Sequence, residues 1–206
     1  LAELQFLVET PGIIHPAKIT ATSTEEWWEF GSVEVVYDGT GLTGGLHDVD
    51  MASSWGAGAH PWKIPPNGMN NGNGSMATIQ FTFDQAYLLD GLNIWNLGDE
   101  MGGDPDGIHI GTKSVVIEYS TVDNPSTEED WSDWYVGDFA EQASDVDPYP
   151  VTQVLDLANV SAKHVALSII TDQGYRGGGV YVGLAELQFL LVSDTLSGDI
   201  DGDGKT

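Results

Sequence analysis

The sequence predicts an all-β sandwich, on three observations. Its hydrophobic periodicity is two rather than 3.6, its short apolar runs are separated by turn-rich stretches, and no window of about 11 residues keeps a clean helical stripe. In Ala77 to Phe83, Ile79, Phe81 and Phe83 share one face while Thr78, Gln80 and Thr82 share the other, which is the pattern of a half-buried strand. Similar runs follow at Gly91 to Trp95, Ser114 to Tyr119, His164 to Ile170 and Leu184 to Leu191. Between them lie stretches such as Asn67 to Gly74 and Gly177 to Gly179, so the long loops are where function is expected.

Composition bounds the rest. A chain of 206 residues, 41% apolar and 10% aromatic, can bury the core of one ordinary domain. With 32 Asp plus Glu against 6 Lys plus Arg the formal net charge is -26, which repels phosphate backbones and anionic lipid. Nucleic acid and peripheral membrane attachment are therefore poor hypotheses, and cation binding is favoured. The absence of Cys excludes disulfides, thiolate zinc sites and a Cys nucleophile. No apolar run approaches the roughly 20 residues needed to cross a bilayer, and there is no signal-type segment. The first residue is Leu1 and not Met, which reads as a processed chain or a fragment.

The two ends repeat each other. Leu1-Ala2-Glu3-Leu4-Gln5-Phe6-Leu7-Val8 matches Leu184-Ala185-Glu186-Leu187-Gln188-Phe189-Leu190-Leu191 at seven of eight positions. A tandem array whose preceding copy contributes its last strand accounts for this; two similar strands within one sandwich is the other reading. The organisation that follows is a terminal strand or arm over residues 1–10, a sandwich over 17–192 and an acidic tail over 193–206.

An ordered series of segments carries a resemblance. It runs through Ile19 to Ser23, Val36-Tyr37-Asp38-Gly39-Thr40-Gly41-Leu42 with His47 after it, Ile79 to Phe83, Leu92 to Asn96, Val116 to Thr121 and Val182 to Phe189. In that order these segments resemble the discoidin, or coagulation factor 5/8 C-type, domains, which are similar to the family 32 carbohydrate-binding modules of bacterial secreted enzymes. The resemblance implies a galactose-binding-like jelly-roll β-sandwich of about eight strands with long loops, a structural Ca²⁺, and ligands held in loops at one end. Two features depart from it. Ile110 stands where relatives often carry a sugar-contacting Arg, and the loop from Gly56 to Ser75, with His60, Trp62 and Pro65-Pro66, is longer than usual.

Calcium takes several hard oxygen ligands from carboxylates and turn carbonyls. Asp38 sits in an Asp-Gly turn, Asp48 follows a second turn, and Glu186 lies on a strand otherwise patterned for the core, where a carboxylate is costly unless paired or metal-bound. The resemblance implies Asp38, Glu186 and carbonyls near Thr40 and Ala185 as ligands, with Asp48 a further candidate; the bland alternative is a set of solvated acids. The tail, Asp199-Ile200-Asp201-Gly202-Asp203-Gly204, has oxygen ligands at positions 1, 3 and 5 and Gly at 6 of an EF-hand-type loop. It resembles the opening of a dockerin repeat, incomplete as it stands, and a plain acidic tail reads nearly as well.

Sugar recognition needs an aromatic face and a few fixed polar groups. Arg176, the only Arg, stands beside Tyr175 in a glycine-rich loop, although pairing with one of the many acids would equally explain it. Asn96 matches a family position that often faces ligand, and His60 and Trp62 are further loop candidates. Catalysis has little support: 32 acids make chance carboxylate pairs uninformative, and there is no Gly-x-Ser-x-Gly elbow, His-Glu-x-x-His or phosphate loop. The expectation is a non-catalytic, secreted or cell-surface module that binds Ca²⁺ and a polysaccharide or glycan. The alternative is a structural repeat of a filament, surface layer or adhesion array, assembled head-to-tail with copies of itself.

Overall fold

The computed structural model describes residues 12–24, 32–47, 77–97, 111–140, 149–170 and 182–192, and the backbone of 62–64. The strands in chain order are β1 (Ile19–Ser23), β2 (Leu42–Thr43), β3 (Leu46–His47), β4 (Trp62–Ile64), β5 (Ala77–Asn96), β6 (Ser114–Ser120), β7 (Ser132–Asp138), β8 (Gln153–Ile169) and β9 (Val182–Leu191). Seven of them form one antiparallel network in the order β4-β9-β5-β8-β6-β7 with β1 added to β5, while β2 and β3 make a separate hairpin.

Two long strands turn this network into a sandwich. β5 and β8 have 20 and 17 residues, and each serves both layers. The first part of β5, Ala77 to Phe83, pairs with β1 and with the end of β8, beyond which lie β6 and β7. Its second part, Leu89 to Asn96, pairs with β9 and with the start of β8. The two parts are separated by register shifts between Thr82 and Tyr87 and between Leu89 and Gly91. Gly91 is required at the second shift, because a Cβ there would overlap the Leu155 carbonyl oxygen.

Alternation then fills the space between the layers. Ile79, Phe81 and Phe83 project from one side and Leu92, Ile94, Leu187 and Phe189 from the other, all in one buried cluster. The Phe189 ring stands edge-on to Phe81 at 5.1 Å and to Phe83 at 4.9 Å, joining the layers through T-shaped contacts worth about 0.5–1.5 kcal/mol each beyond their buried area. His164 lies on β8 as its sequence context suggests. Its Nε2 lies 3.2 Å from the Asp123 carbonyl, which can only accept, and its Nδ1 is hydrogen-bonded with Thr82 Oγ1 at 2.9 Å.

The all-β sandwich expectation holds, with three adjustments. The runs Ala77–Phe83 and Gly91–Trp95 are parts of one bent strand and not two. Nine strands are present among the described residues, two of them in the short hairpin. Trp62, read as a loop residue, is instead in β4, where Trp62↔Leu184 and Ile64↔Val182 extend the sheet beside β9. The segment Leu1–Val8, the tail with Asp199, Asp201 and Asp203, and Asp48, His60, Tyr175 and Arg176 lie outside the described residues.

Candidate functional site: a buried glutamate beneath the Asp38 turn

The feature that organises the site is a bulge in β9. Trp95 pairs with Glu186 and Asn96 with Leu184, which leaves Ala185 as an extra residue. Strict alternation could not send both Leu184 and Leu187 into the main core, as both are, because they are three apart. The extra residue allows it, and Glu186 is turned to the opposite side of the sheet, opposite Trp95. There a second small cluster of Trp95, Leu97, Tyr149 and Ala185, with Leu42 and Val151 against it, keeps water off.

A turn closes over this carboxylate. The 3-10 segment Val33–Val36 is anchored by buried Val33 and Val36, and its end is fixed by the Tyr37 and Asp38 N–H groups donating to the Glu34 carbonyl. Asp38 Oδ1 accepts from the Thr40 N–H at 2.8 Å, an Asx-type turn, and the Gly39 N–H donates to Glu186 Oε2 at 3.3 Å. Leu42 N–H donates back to the Gly39 carbonyl, and the chain enters the β2–β3 hairpin. Gly41, at φ +86°, accommodates the buried His47 ring, which a Cβ there would meet at 2.9 Å. His47 and Tyr149 exchange backbone hydrogen bonds at 2.8 and 2.9 Å, and their rings lie 5.5 Å apart.

Glu186 is fully buried, and its Oε1 has no hydrogen-bond partner. Burial first, then the nearby Asp38 carboxylate, push its pKa up to about 9, while the Gly39 N–H works in the opposite direction. A buried carboxyl with an unused oxygen, set beneath the exposed carboxylate of Asp38, fits a hard cation. Trp95 Nε1 is also buried without a partner, but an N–H cannot ligate a metal. No group of three His, Cys, Asp or Glu side chains that could hold a metal occurs among the described residues. Among the described residues, two carboxylates, Asp38 and Glu186, are the side chains available here, and turn and bulge carbonyls, those of Thr40 and Ala185 among them, would have to complete a coordination shell.

Asn96 corrects the sequence reading. Named there as a position that often faces ligand, it is completely buried. Its Nδ2 donates to the carbonyls of Thr112 at 2.6 Å and Ala140 at 2.9 Å, and its Oδ1 accepts from the N–H groups of Leu97 and Thr112, both at 3.0 Å. With all four bonds made inside the protein, its role is to tie the end of β5 to the segments leading into β6 and out of β7. The sequence reading also passed over the roof of the site, His47 with Tyr149. The one local signal was Tyr149 held between Pro148 and Pro150.

No protein-family model and no curated protein matches the sequence. Solved structures do match in fold. A family 32 carbohydrate-binding module, CBM32-3 from a family 31 glycoside hydrolase of Clostridium perfringens, superposes with a TM-score of 0.55 at 16% identity, over 87% of this chain and 94% of that one. The family 32 module of C. perfringens NanJ, in complex with galactose, gives 0.53 at 12% identity over 88% and 99%. The C. perfringens module CpGH89CBM32-5, in complex with GalNAc-beta-1,3-galactose, gives 0.51 at 14% over 86% and 98%. At these identities the likeness is one of fold: the chain has the galactose-binding-like β-sandwich of these modules.

Proposed function

We propose that the chain is a non-catalytic, extracellular carbohydrate-binding module whose ligand-binding end is braced by a calcium ion at Asp38 and Glu186. The observation that carries this reading is the buried Glu186 carboxylate with its unused oxygen, set beneath the Asp38 turn in a fold shared with sugar-binding modules. A bound cation would neutralise Glu186 and Asp38 together and hold the turn onto β9. The chain's own contribution is the Gly39 N–H on Oε2, the bulge that aims Glu186, and the Trp95, Tyr149 and Leu42 cover. Tyr175 and Arg176 are assigned to the sugar on residue chemistry alone: a ring face beside a charged donor.

Binding to an array of neutral and acidic glycans, measured with millimolar calcium and with EDTA, tests the reading. A selective set of glycans retained in calcium is expected, together with a loss of about tenfold or more in affinity for Arg176→Ala, the scale of one charge-assisted hydrogen bond. An array with no retained glycan in calcium would overturn the assignment. The absence of chemistry on any glycan retained is expected as well, and release of a cleaved product would return the chain to the enzymes.

A further inference from the structure

The repeat between the two ends of the chain gains physical content from β9. The shared octapeptide is not a generic apolar strand, since Leu-Ala-Glu-Leu breaks alternation and places an acid among apolar residues. In β9 each irregularity has a cause. Leu184, Leu187 and Phe189 fill the main core, the bulge at Ala185 restores their phase, and Glu186 enters a seat made by Gly39 N–H, Trp95 and the small second cluster. Leu1, Ala2, Glu3, Leu4 and Phe6 are identical at every one of these buried positions, and the single difference, Val8 for Leu191, falls where β9 is only half-buried. A segment with this sequence suits a β9 seat, and β9 itself occupies the seat of this domain.

The start of the described chain fixes how far away such a seat can be. Gly12 already belongs to this domain: its carbonyl accepts from Leu191 N–H at 2.8 Å, and Ile14 N–H donates to Phe189 O at 3.1 Å. Three residues, Glu9 to Pro11, separate Val8 from Gly12, so these two Cα atoms lie within about 14 Å. We propose that Leu1–Val8 is the closing strand of a second domain of this fold immediately upstream, with Glu3 in the place Glu186 holds here, and that successive domains abut through the Glu9–Pro11 junction.

The test is a doubled chain in which residues 12–183 are placed directly before Leu1 of the full sequence, so that Leu1–Val8 is the only closing strand the added copy has. With so few Lys and Arg, thermolysin is the protease of choice. The doubled chain is expected to be monomeric and to resist digestion along its whole length, and Glu3→Ala is expected to make the added copy alone sensitive. Trimming of the added copy down to the original chain would overturn the proposal. So would trimming in the companion variant Val8→Leu, which restores the β9 octapeptide in full, because the three-residue junction would then be unable to carry two domains. Resistance unaffected by Glu3→Ala would show that Glu3 is not in a β9 seat. A dimer by light scattering would place the strand in a separate molecule and overturn the arrangement within one chain.

Discussion

Glu186 and Asn96 show two opposite uses of a buried polar side chain. Asn96 has every hydrogen-bonding group matched, and Glu186 has one oxygen left over. The Glu186 pKa, about 9 when folded against 4.5 as its ordinary value, means that the metal-free folded protein keeps a proton that the unfolded chain gives up. Stability from this group is therefore full below the unfolded value and is lost as pH rises toward the folded one, at up to about 1.4 kcal/mol per pH unit. Comparing Glu186→Gln with the parent in EDTA isolates the effect, since other acids change both proteins alike. The parent's advantage is expected to shrink as pH rises from about 5 to about 8, and parallel curves would contradict the assignment. For Asn96→Ala the expected loss is about 3 kcal/mol, because three buried backbone groups and the part-buried Ala140 carbonyl lose their partner. Calorimetry measures it, and glycan affinity of the folded fraction is expected to stay unchanged, because the side-chain hydrogen bonds of Asn96 are all made inside the protein.

At the level of elements, β5 and β9 decide what could be read from the sequence. Alternation at Ala77–Phe83 and Gly91–Trp95 was legible, but Asp84, Gln85 and Ala86 between them are exposed and look like a turn. What joins the two runs is their shared partner β8, paired with both across two register shifts, a tertiary pairing that no local pattern encodes. Glu186 was legible as an anomaly in an apolar strand, and Asp38 as a turn carboxylate, because both break the local rule. The bulge at Ala185 and the His47–Tyr149 roof were not, since they depend on register between distant segments. The bend of β5 rests on Gly91. Gly91→Ala forces a methyl into the Leu155 carbonyl and is expected to cost about 1–3 kcal/mol by moving two backbones apart. A denaturant midpoint equal to that of the parent would mean that the two strands can separate there freely.

For the whole molecule the formal charge of -26 acts on every cation experiment, so the site at Glu186 has to be separated from the general field. Like charges on a compact body repel, and any added salt relieves this by screening, with a Debye length near 10 Å at about 0.1 M. Calcium bound at one native site adds a second contribution, RT ln(1 + [L]/Kd), about 2.7 kcal/mol at a hundredfold excess over Kd. For a chain of this size that corresponds to roughly 5–10 °C in melting temperature, at about 2–4 °C per kcal/mol. Melting in millimolar CaCl2 is therefore expected to exceed melting in NaCl of equal ionic strength by that margin. The same comparison in Glu186→Gln is expected to keep the NaCl increment, because screening does not depend on one residue, and to lose the extra calcium increment. If the parent melts at the same temperature in the two salts, screening accounts for all of the cation effect and the buried carboxylate does not hold calcium. If instead the margin survives in Glu186→Gln, calcium binds elsewhere on the acidic surface, and the Asp38 turn is held to β9 by the Gly39 hydrogen bond and the packing beneath it alone.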